Sequence, residues 1–429
     1  MVDLATEAPV HSAPRLRLAI AYFLQFATWG IWTVPLGNYL SVTRGWGDIV
    51  GLAYAMQGIA AIVAPLTVGL IADRSISAQK LMGCLYVGAA AFMFVIPALT
   101  SNRVLFLAAL LGHFLCFIPT LALSNTIGLT VIADPKKRFP AVRGFGTIGW
   151  ICVGLFVGLV PGVANSDQPM TFAAWGCLVA GAYSFSMPNV PPADQRAPVK
   201  LSALLGIDVL RHADSRNLRI FLVTSFCAVV PLAFYYGYGN VFLNQMHAHI
   251  RFGPFNAGPT ALQTVYQMAE LAILFTLPLF IRRASVGPVI ATGLVTWVCS
   301  FSLFAFGSRA ENGLIFWLLA TVLQGVSYSC LFTAGAIHID SACRDADCAR
   351  AQSLFSTITM GLGPVVGAVI ASVVFAKTQQ IGAADWQAFW TVPGFLCVAA
   401  LVYFLLRFRG RRKTSGPIEL AGKCPAGEA

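Results

Sequence analysis

The chain has 429 residues, of which 57% are hydrophobic and only 10% are charged, against roughly 25% charged in a typical soluble domain. This composition and a mean hydropathy of +0.74 exclude a soluble globular or disordered chain and predict an all-α integral membrane protein. The formal net charge of +11 needs no nucleic-acid partner, because basic residues concentrate on the cytoplasmic side of membrane proteins.

Twelve apolar runs, each of about 20 residues and so long enough to span a bilayer as a helix, alternate with polar segments. They begin near Arg17, Ile49, Leu81, Val104, Arg143, Met170, Asn217, Thr260, Val286, Leu314, Gln352 and Trp386. If both termini are cytoplasmic, the only basic residues in outer segments are Arg44, Arg103, Arg251, Arg309 and Lys377. This asymmetry predicts an even number of helices with both termini in the cytoplasm.

One long polar connection divides the chain near its centre, with six apolar runs on each side. The predicted parts are a disordered cytoplasmic tail at 1–16, a six-helix half at 17–190, a cytoplasmic linker at 191–215, a second six-helix half at 216–408 and a basic cytoplasmic tail at 409–429. The fifth and eleventh runs are both rich in glycine, as expected for parallel repeats that are offset by six helices.

The loop after the second apolar run, GLIADRSISAQK at 69–80, resembles the loop signature of the major facilitator superfamily. An aspartate at a helix end can accept hydrogen bonds from another helix N-terminus or pair with an arginine. Asp73 and Arg74 are therefore predicted to form a gate that latches the two halves together while the inner side is closed. The alternative is a solvated turn that happens to carry charges.

The fifth apolar run carries three chemically useful side chains on one helical face. Arg143, Thr147 and Trp150 stand at positions i, i+4 and i+7, so they offer a cation, a hydroxyl and a flat aromatic surface. They are candidate substrate-binding residues. Alternatively, Arg143 only ends the basic cluster at 136–138 near the membrane surface, and Trp150 is a packing residue.

The eighth apolar run contains a carboxylate, Glu270, about halfway along its length. Insertion of an ionisable group at that depth costs about 2.5–3.5 kcal/mol, so such a group usually marks an ion or substrate pathway. Gln263, Gln267 and Glu270 repeat the i, i+4, i+7 spacing, and Tyr266 precedes Glu270 by one helical turn. The stripe is predicted to line a cavity or the helix bundle interior, and a purely structural hydrogen-bond network is the alternative.

Aromatic faces, neutral amides, one cation and one carboxylate suit a flat, neutral solute that bears hydroxyl groups. A phosphorylated solute would need several cations within the membrane. The sequence shows no phosphate-binding loop, no nucleophile and base arrangement and no metal-ligand cluster. We therefore predict a protein that is not an ATP-driven pump or an enzyme, and that has no catalytic residues, cofactor or metal.

Several separated motifs resemble the nucleoside:proton symporter family of the major facilitator superfamily. They are LRLAIAYFLQFATWGIWTVPLGNYL in the first run, PTLALSNTIG at 119–128, RGFGTIGW at 143–150, GNVFL at 239–243 and YQMAELAILFTLPLF at 266–280. The resemblance extends over essentially the whole chain. It implies a proton-driven nucleoside importer in which Arg143, Thr147, Trp150, Gln267 and Glu270 contact substrate.

This chain departs from the family pattern at two places. Ala233 and Tyr236 stand where well-known members carry a glutamine and an asparagine on the seventh helix. Ser329, after Tyr328, stands where the family has an intramembrane aspartate in the tenth helix. We include Tyr236, Tyr328 and Ser329 among the candidate substrate-binding residues, and Glu270 becomes the predicted carrier of the coupled proton.

The resulting hypothesis is a twelve-helix permease of the bacterial inner membrane that imports a nucleoside with protons by alternating access and functions as a monomer in the lipid bilayer. Two alternatives remain open: a symporter of sugars or other small hydroxylated metabolites, and a membrane sensor that does not transport.

Overall fold

The structure, a computed structural model, describes residues 12–67, 76–192, 205–209, 216–283, 285–343, 345–380 and 383–408. The first part of the chain forms α1 (Ser12–Asn38), α2 (Val50–Thr67), α3 (Ala78–Val95), α4 (Arg103–Val131), α5 (Pro135–Leu159) and α6 (Gln168–Ser184). The predicted gate residues Asp73 and Arg74 lie outside the described residues, as do the tail at 409–429 and most of the linker.

The second part of the chain is also helical. It forms α7 (Arg216–Gln245), α8 (Pro259–Gln263), α9 (Val265–Arg283), α10 (Val286–Gly307), α11 (Gly313–Ala342), α12 (Asp345–Ser356), α13 (Gly363–Thr378) and α14 (Trp386–Arg407). A π-helical stretch, Thr357–Leu362, joins α12 to α13. Within the described ranges, the strands form two short pairs, β1 (Ile250–Phe252) with β2 (Phe255–Ala257) and β3 (Gln379–Gln380) with β4 (Ala383–Ala384).

These helices make the twelve predicted membrane-spanning segments when α8 with α9, and α12 with α13, are each counted as one segment. In the described residues, ten spans are long and apolar enough to cross a membrane. The other two segments are α6, which has 17 residues, and the α8–α9 segment, which is interrupted at Thr264 and carries Glu270. The all-α membrane fold predicted from the sequence is confirmed.

Several helices extend beyond their apolar runs. The first helix begins at Ser12, so residues 12–16, assigned from the sequence to a disordered tail, are helical. The fifth begins at Pro135 instead of Arg143. Proline favours the first turn of a helix because it has no N–H to satisfy there, and the polar turn that follows continues the helix outside the apolar stretch. Hydropathy alone misses such polar turns.

The eighth segment is not the continuous helix expected from its apolar run. The first piece, α8, ends at Gln263 and the second, α9, starts at Val265. The hydroxyl of Thr264 donates to the carbonyl of Ala261 within this break. Gln263 therefore lies in a different helical element from Gln267 and Glu270.

The chain folds into two compact units. Unit 1 comprises Met1–Gly45, Val63–Pro198 and Arg251–Thr264, and unit 2 comprises Trp46–Ile62, Val199–Ile250 and Val265–Ala429. The β1–β2 hairpin from Arg251 onward and α8 thus belong to unit 1, although the helices on both sides of them in sequence belong to unit 2.

Close contacts between helix backbones hold unit 1 together. Lipid provides no hydrophobic force that drives helices together, so their association depends on small residues that allow close packing. A methyl group placed on Gly149 of α5 would stand 2.4 Å from the carbonyl oxygen of Phe23 on α1. Gly158, near the end of α5, accepts a backbone hydrogen bond of 3.0 Å from Gly258, just before α8.

Unit 2 is held together by the same kind of close backbone contact at a glycine, and also by a large aromatic cluster. A methyl group on Gly325 of α11 would lie 2.3 Å from the carbonyl oxygen of Tyr266 on α9. At one end of the unit, Phe242 of α7 packs edge-on against Trp386 and Trp390 of α14. The Trp386 indole donates a hydrogen bond of 3.1 Å to the side-chain oxygen of Gln245, which satisfies a polar group within an apolar cluster.

We expect Gly149→Ala to lower the thermal unfolding temperature of the detergent-solubilised protein, because the added methyl group forces α1 and α5 apart. Gly144, five residues earlier on α5, is the matched control, since a methyl group there meets no neighbouring heavy atom within 4 Å. Gly144→Ala should leave stability unchanged or raise it by up to about 1 kcal/mol through helix propensity. Equal unfolding temperatures for the two variants would contradict this account of the packing.

Candidate substrate-binding site

The predicted face on α5 exists as one surface of one helix. Arg143 is exposed, and Thr147 and Trp150 are half-buried, so all three side chains keep accessible area. The indole ring of Trp150 lies against Gly30 of α1, where a methyl group would stand 2.8 Å from the ring. It also packs edge-on against Trp29, with ring centroids 5.4 Å apart. The face therefore presents a cation, a hydroxyl and an immobilised aromatic ring.

A layer of polar residues supports this face from α1 and α4. The Tyr22 hydroxyl donates to the Asn125 side-chain oxygen at 2.9 Å. The Gln25 amide donates to the Thr120 hydroxyl, also at 2.9 Å. Arg143 interacts electrostatically with the phenol of Tyr22. These contacts link the cation of α5 to a hydrogen-bonded network between two other helices of unit 1.

Sequence reasoning did not single out these supporting residues. Tyr22 and Gln25 lie in the first-helix motif, and Thr120 and Asn125 lie in PTLALSNTIG, both of which were used only as marks of family resemblance. Tyr22, Gln25 and Thr120 are buried. A polar side chain buried in a membrane-spanning helix needs a partner, and that requirement is the signal that could have identified them.

In unit 2, the predicted residues of α7, α9 and α11 come together around Tyr266. The hydroxyl groups of Tyr236 and Tyr266 lie 2.8 Å apart. The ring of Tyr328 packs edge-on against Tyr266, with centroids 5.9 Å apart, and stacks on Phe332 at 4.1 Å. Tyr266 itself is 1% exposed, whereas Tyr236 and Tyr328 are half-buried. Unit 2 thus contains a tyrosine cluster formed by Tyr236, Tyr266 and Tyr328.

Glu270 lies on α9, next to this tyrosine cluster. Its side chain is half-buried, and it interacts electrostatically with the phenols of Tyr236 and Tyr266. Gln267, one turn earlier, is 8% exposed. Ser329, on α11, is 2% exposed, and its hydroxyl donates to the backbone carbonyl of Glu270 at 3.0 Å. Ser329 therefore joins α11 to α9 through the main chain.

Ala233, at the other position of departure from the family pattern, is a packing residue in this structure. It belongs to a small buried cluster with Ala55 and Ala368 in unit 2. Among the described residues, no group of three or more histidine, cysteine, aspartate or glutamate side chains has an arrangement suited to a metal ion. The candidate site residues thus offer hydrogen-bonding side chains, aromatic rings, the Arg143 cation and the Glu270 carboxylate.

The twelve membrane-spanning segments and their polar faces place this protein in the class of multi-pass membrane carriers with the major facilitator fold. A crystal structure of the nucleoside transporter NupG superposes with a TM-score of 0.81 at 26% identity, covering 93% of this chain and 100% of that one. Among curated proteins of Escherichia coli K12, the xanthosine permease is 30% identical over 91% of this chain and 94% of its own length. The nucleoside permease NupG is 28% identical over 91% and 95%.

The model of the nucleoside H⁺ symporter family matches residues 13–413. The chain belongs to this family, which confirms the resemblance seen in its sequence motifs. Membership favours proton-coupled nucleoside import over the alternatives of sugar transport and sensing.

If the α5 face binds substrate, we expect Trp150→Ala to weaken the apparent nucleoside affinity about three- to tenfold, because ring stacking contributes about 0.5–1.5 kcal/mol. Arg143→Ala should weaken it further, since it removes a cation and several hydrogen-bond donors. Trp175→Ala is the matched control, because Trp175 of α6 is 58% exposed and packs against Phe94. Equilibrium binding to purified protein measures the effect. Wild-type affinity in both α5 variants would show that these residues only pack and do not bind substrate.

Proposed function

We propose that this protein imports nucleosides together with protons, by alternating access between an outward-facing and an inward-facing state. The observation that carries the proposal is the match of the nucleoside H⁺ symporter model to residues 13–413. Relatives named as nucleoside and xanthosine permeases, similar over 91% of the chain, support the same class of substrate.

The face on α5 is proposed to recognise the nucleoside. A nucleobase is flat and aromatic, so it can stack on the half-buried indole of Trp150. The guanidinium of Arg143 can donate hydrogen bonds to carbonyl or hydroxyl oxygens, and Thr147 offers a hydroxyl that both donates and accepts. The packing of Trp150 against Gly30 and Trp29 fixes the ring in advance, which reduces the entropic cost of binding.

The group on α9 is proposed to carry the proton and to bind hydroxyl groups of the solute. A carboxyl group crosses a low-dielectric region far more cheaply in its neutral form than in its charged form. Glu270 is therefore the residue that we assign to proton binding, with Gln267, Tyr236 and Tyr328 as neutral hydrogen-bonding partners of the solute. Ser329 contributes by holding the backbone of Glu270.

We further propose that the protein lies in a bacterial inner membrane, with both termini cytoplasmic and the sequence halves 17–190 and 216–408 joined by the linker 191–215. The bias of basic residues supports this orientation. Asp73 and Arg74 are proposed to gate the transport cycle, and the monomer is proposed to be the functional form.

The proposal is tested by uptake of radiolabelled nucleosides into cells that lack their own nucleoside carriers, with unlabelled nucleosides and sugars as competitors. We expect accumulation above the equilibrium level, inhibition by nucleosides but not by sugars, and loss of accumulation after addition of a protonophore. Inhibition by sugars but not by nucleosides would contradict proton-coupled nucleoside import. Uptake that never exceeds the equilibrium concentration of nucleoside would also contradict it.

Glu270→Gln should abolish uphill accumulation while leaving measurable nucleoside binding, because glutamine keeps the shape and hydrogen bonding of the side chain but cannot bind a proton. Glu311→Gln is the matched control, since Glu311 is exposed in the connection between α10 and α11. Counterflow and uphill uptake, measured on the same cells, separate binding from coupling. Protonophore-sensitive accumulation by Glu270→Gln would show that another group carries the proton.

A further inference from the structure

Tyr236 of α7 and Tyr266 of α9 form a direct hydroxyl-to-hydroxyl hydrogen bond in unit 2. The two oxygen atoms are 2.8 Å apart, and the rings meet edge-on with centroids at 6.0 Å. Each phenol has one proton and can also accept a hydrogen bond, so only one of the two protons lies between the oxygens. The second proton remains to be donated elsewhere, and a buried donor needs an acceptor.

Glu270 is placed to be that acceptor. It follows Tyr266 by four residues on α9, which puts both side chains on the same face of the helix. It also interacts electrostatically with both phenols of the pair. A phenol that donates to an ionised carboxylate makes a charge-assisted hydrogen bond, which is stronger than a bond between neutral groups.

The backbone around these groups packs closely against α11. Gly325 of α11 lies against the main chain of both Tyr266 and Glu270, with no room for a methyl group. The Ser329 hydroxyl binds the Glu270 carbonyl at 3.0 Å. Two contacts from one neighbouring helix therefore fix the register of α9 at this point.

We propose that Tyr236 and Tyr266 report the protonation state of Glu270 to the solute by reversing the direction of the hydrogen bond between them. The inference rests on the proposed function, in which Glu270 takes up and releases the transported proton. It assigns a role in coupling to a pair that includes Tyr236, one of the two departures from the family pattern.

With Glu270 ionised, Tyr266 donates to the carboxylate and Tyr236 donates to the oxygen of Tyr266. The hydroxyl oxygen of the half-buried Tyr236 can then only accept a hydrogen bond from the solute. With Glu270 protonated, the carboxyl group donates to Tyr266, Tyr266 donates to Tyr236, and the Tyr236 proton is free to be donated. One proton has been added, at Glu270, and both phenols stay neutral. Tyr236 thus changes from an acceptor to a donor toward the solute.

Two other titratable groups face the pair from the helices packed against it. They are Tyr235 on α7 and Tyr328 on α11, whose ring centroids lie 5.6 Å and 5.9 Å from that of Tyr266. Both are phenols and stay protonated in the range in which a carboxyl group titrates. Among the described groups facing the pair, Glu270 is the one whose charge changes in that range.

The test compares Tyr266→Phe and Tyr236→Phe with wild type, Glu270→Gln and a control, Tyr238→Phe. The control removes a phenol hydroxyl from α7 that instead bonds to Ser372 at 3.2 Å. The readout is the thermal unfolding temperature of the purified protein from about pH 4 to pH 9, without nucleoside, a range that covers carboxyl titration. Equilibrium binding of radiolabelled uridine over the same pH range is measured in parallel.

We expect the wild-type stability profile to contain a transition that Glu270→Gln lacks. Tyr266→Phe should move its midpoint to higher pH, to a proton concentration about tenfold lower, because the ionised carboxylate loses a charge-assisted hydrogen bond. Tyr236→Phe should move it in the same direction by a smaller amount, because it removes only the hydrogen bond that Tyr266 accepts. Tyr238→Phe should leave the midpoint in place. The pH dependence of uridine affinity should flatten in both variants of the pair, and the second variant keeps the test valid if the first fails to fold.

A midpoint unchanged in both variants would overturn the inference, and so would a wild-type transition that survives Glu270→Gln. Failure of the proposed function is a separate result, since wild type would then bind no uridine or other nucleoside. In that case a shifted stability midpoint would still establish the link between the phenols and Glu270.

Discussion

The structure depends on one constraint: within a bilayer, a polar side chain on a spanning helix must find its partner inside the protein. An unsatisfied polar group in hydrocarbon costs several kcal/mol, and several polar residues of the described helices form pairs that cross from one helix to another. Gln25 with Thr120, and Trp297 with Gln324, are two such pairs, at 2.9 Å and 2.7 Å. Each pair also fixes how two helices are rotated against each other, so the same bonds that satisfy polarity define the packing.

The groups proposed to bind the solute and the proton are only half-buried. Thr147, Trp150 and Glu270 keep accessible surface, while the residues that hold them are almost fully enclosed. Glycines allow the backbones of the supporting helices to lie close together, as at Gly149 and Gly325. The proposed binding groups are therefore carried by closely packed helices, which favours a defined geometry for recognition.

The sequence predicted well what depends on local pattern. Apolar runs of bilayer length identified the spanning segments, and helical spacing placed Arg143, Thr147 and Trp150 on one face. Contacts between residues distant in sequence were not predictable, because periodicity says which residues share a face but not what that face meets. The break at Thr264 was not predictable for a related reason. The apolar run is continuous across it, and the break occurs where α8, which belongs to unit 1, ends.

The close contact between Trp150 and Gly30 has an evolutionary consequence. A methyl group at position 30 would stand 2.8 Å from the indole, so a larger side chain can enter there only if the residue at 150 shrinks or turns away. Positions 30 and 150 should therefore vary together among relatives, with glycine opposite a large ring and larger residues opposite smaller ones. A change of solute preference that required a different ring at 150 would thus require two substitutions on two helices.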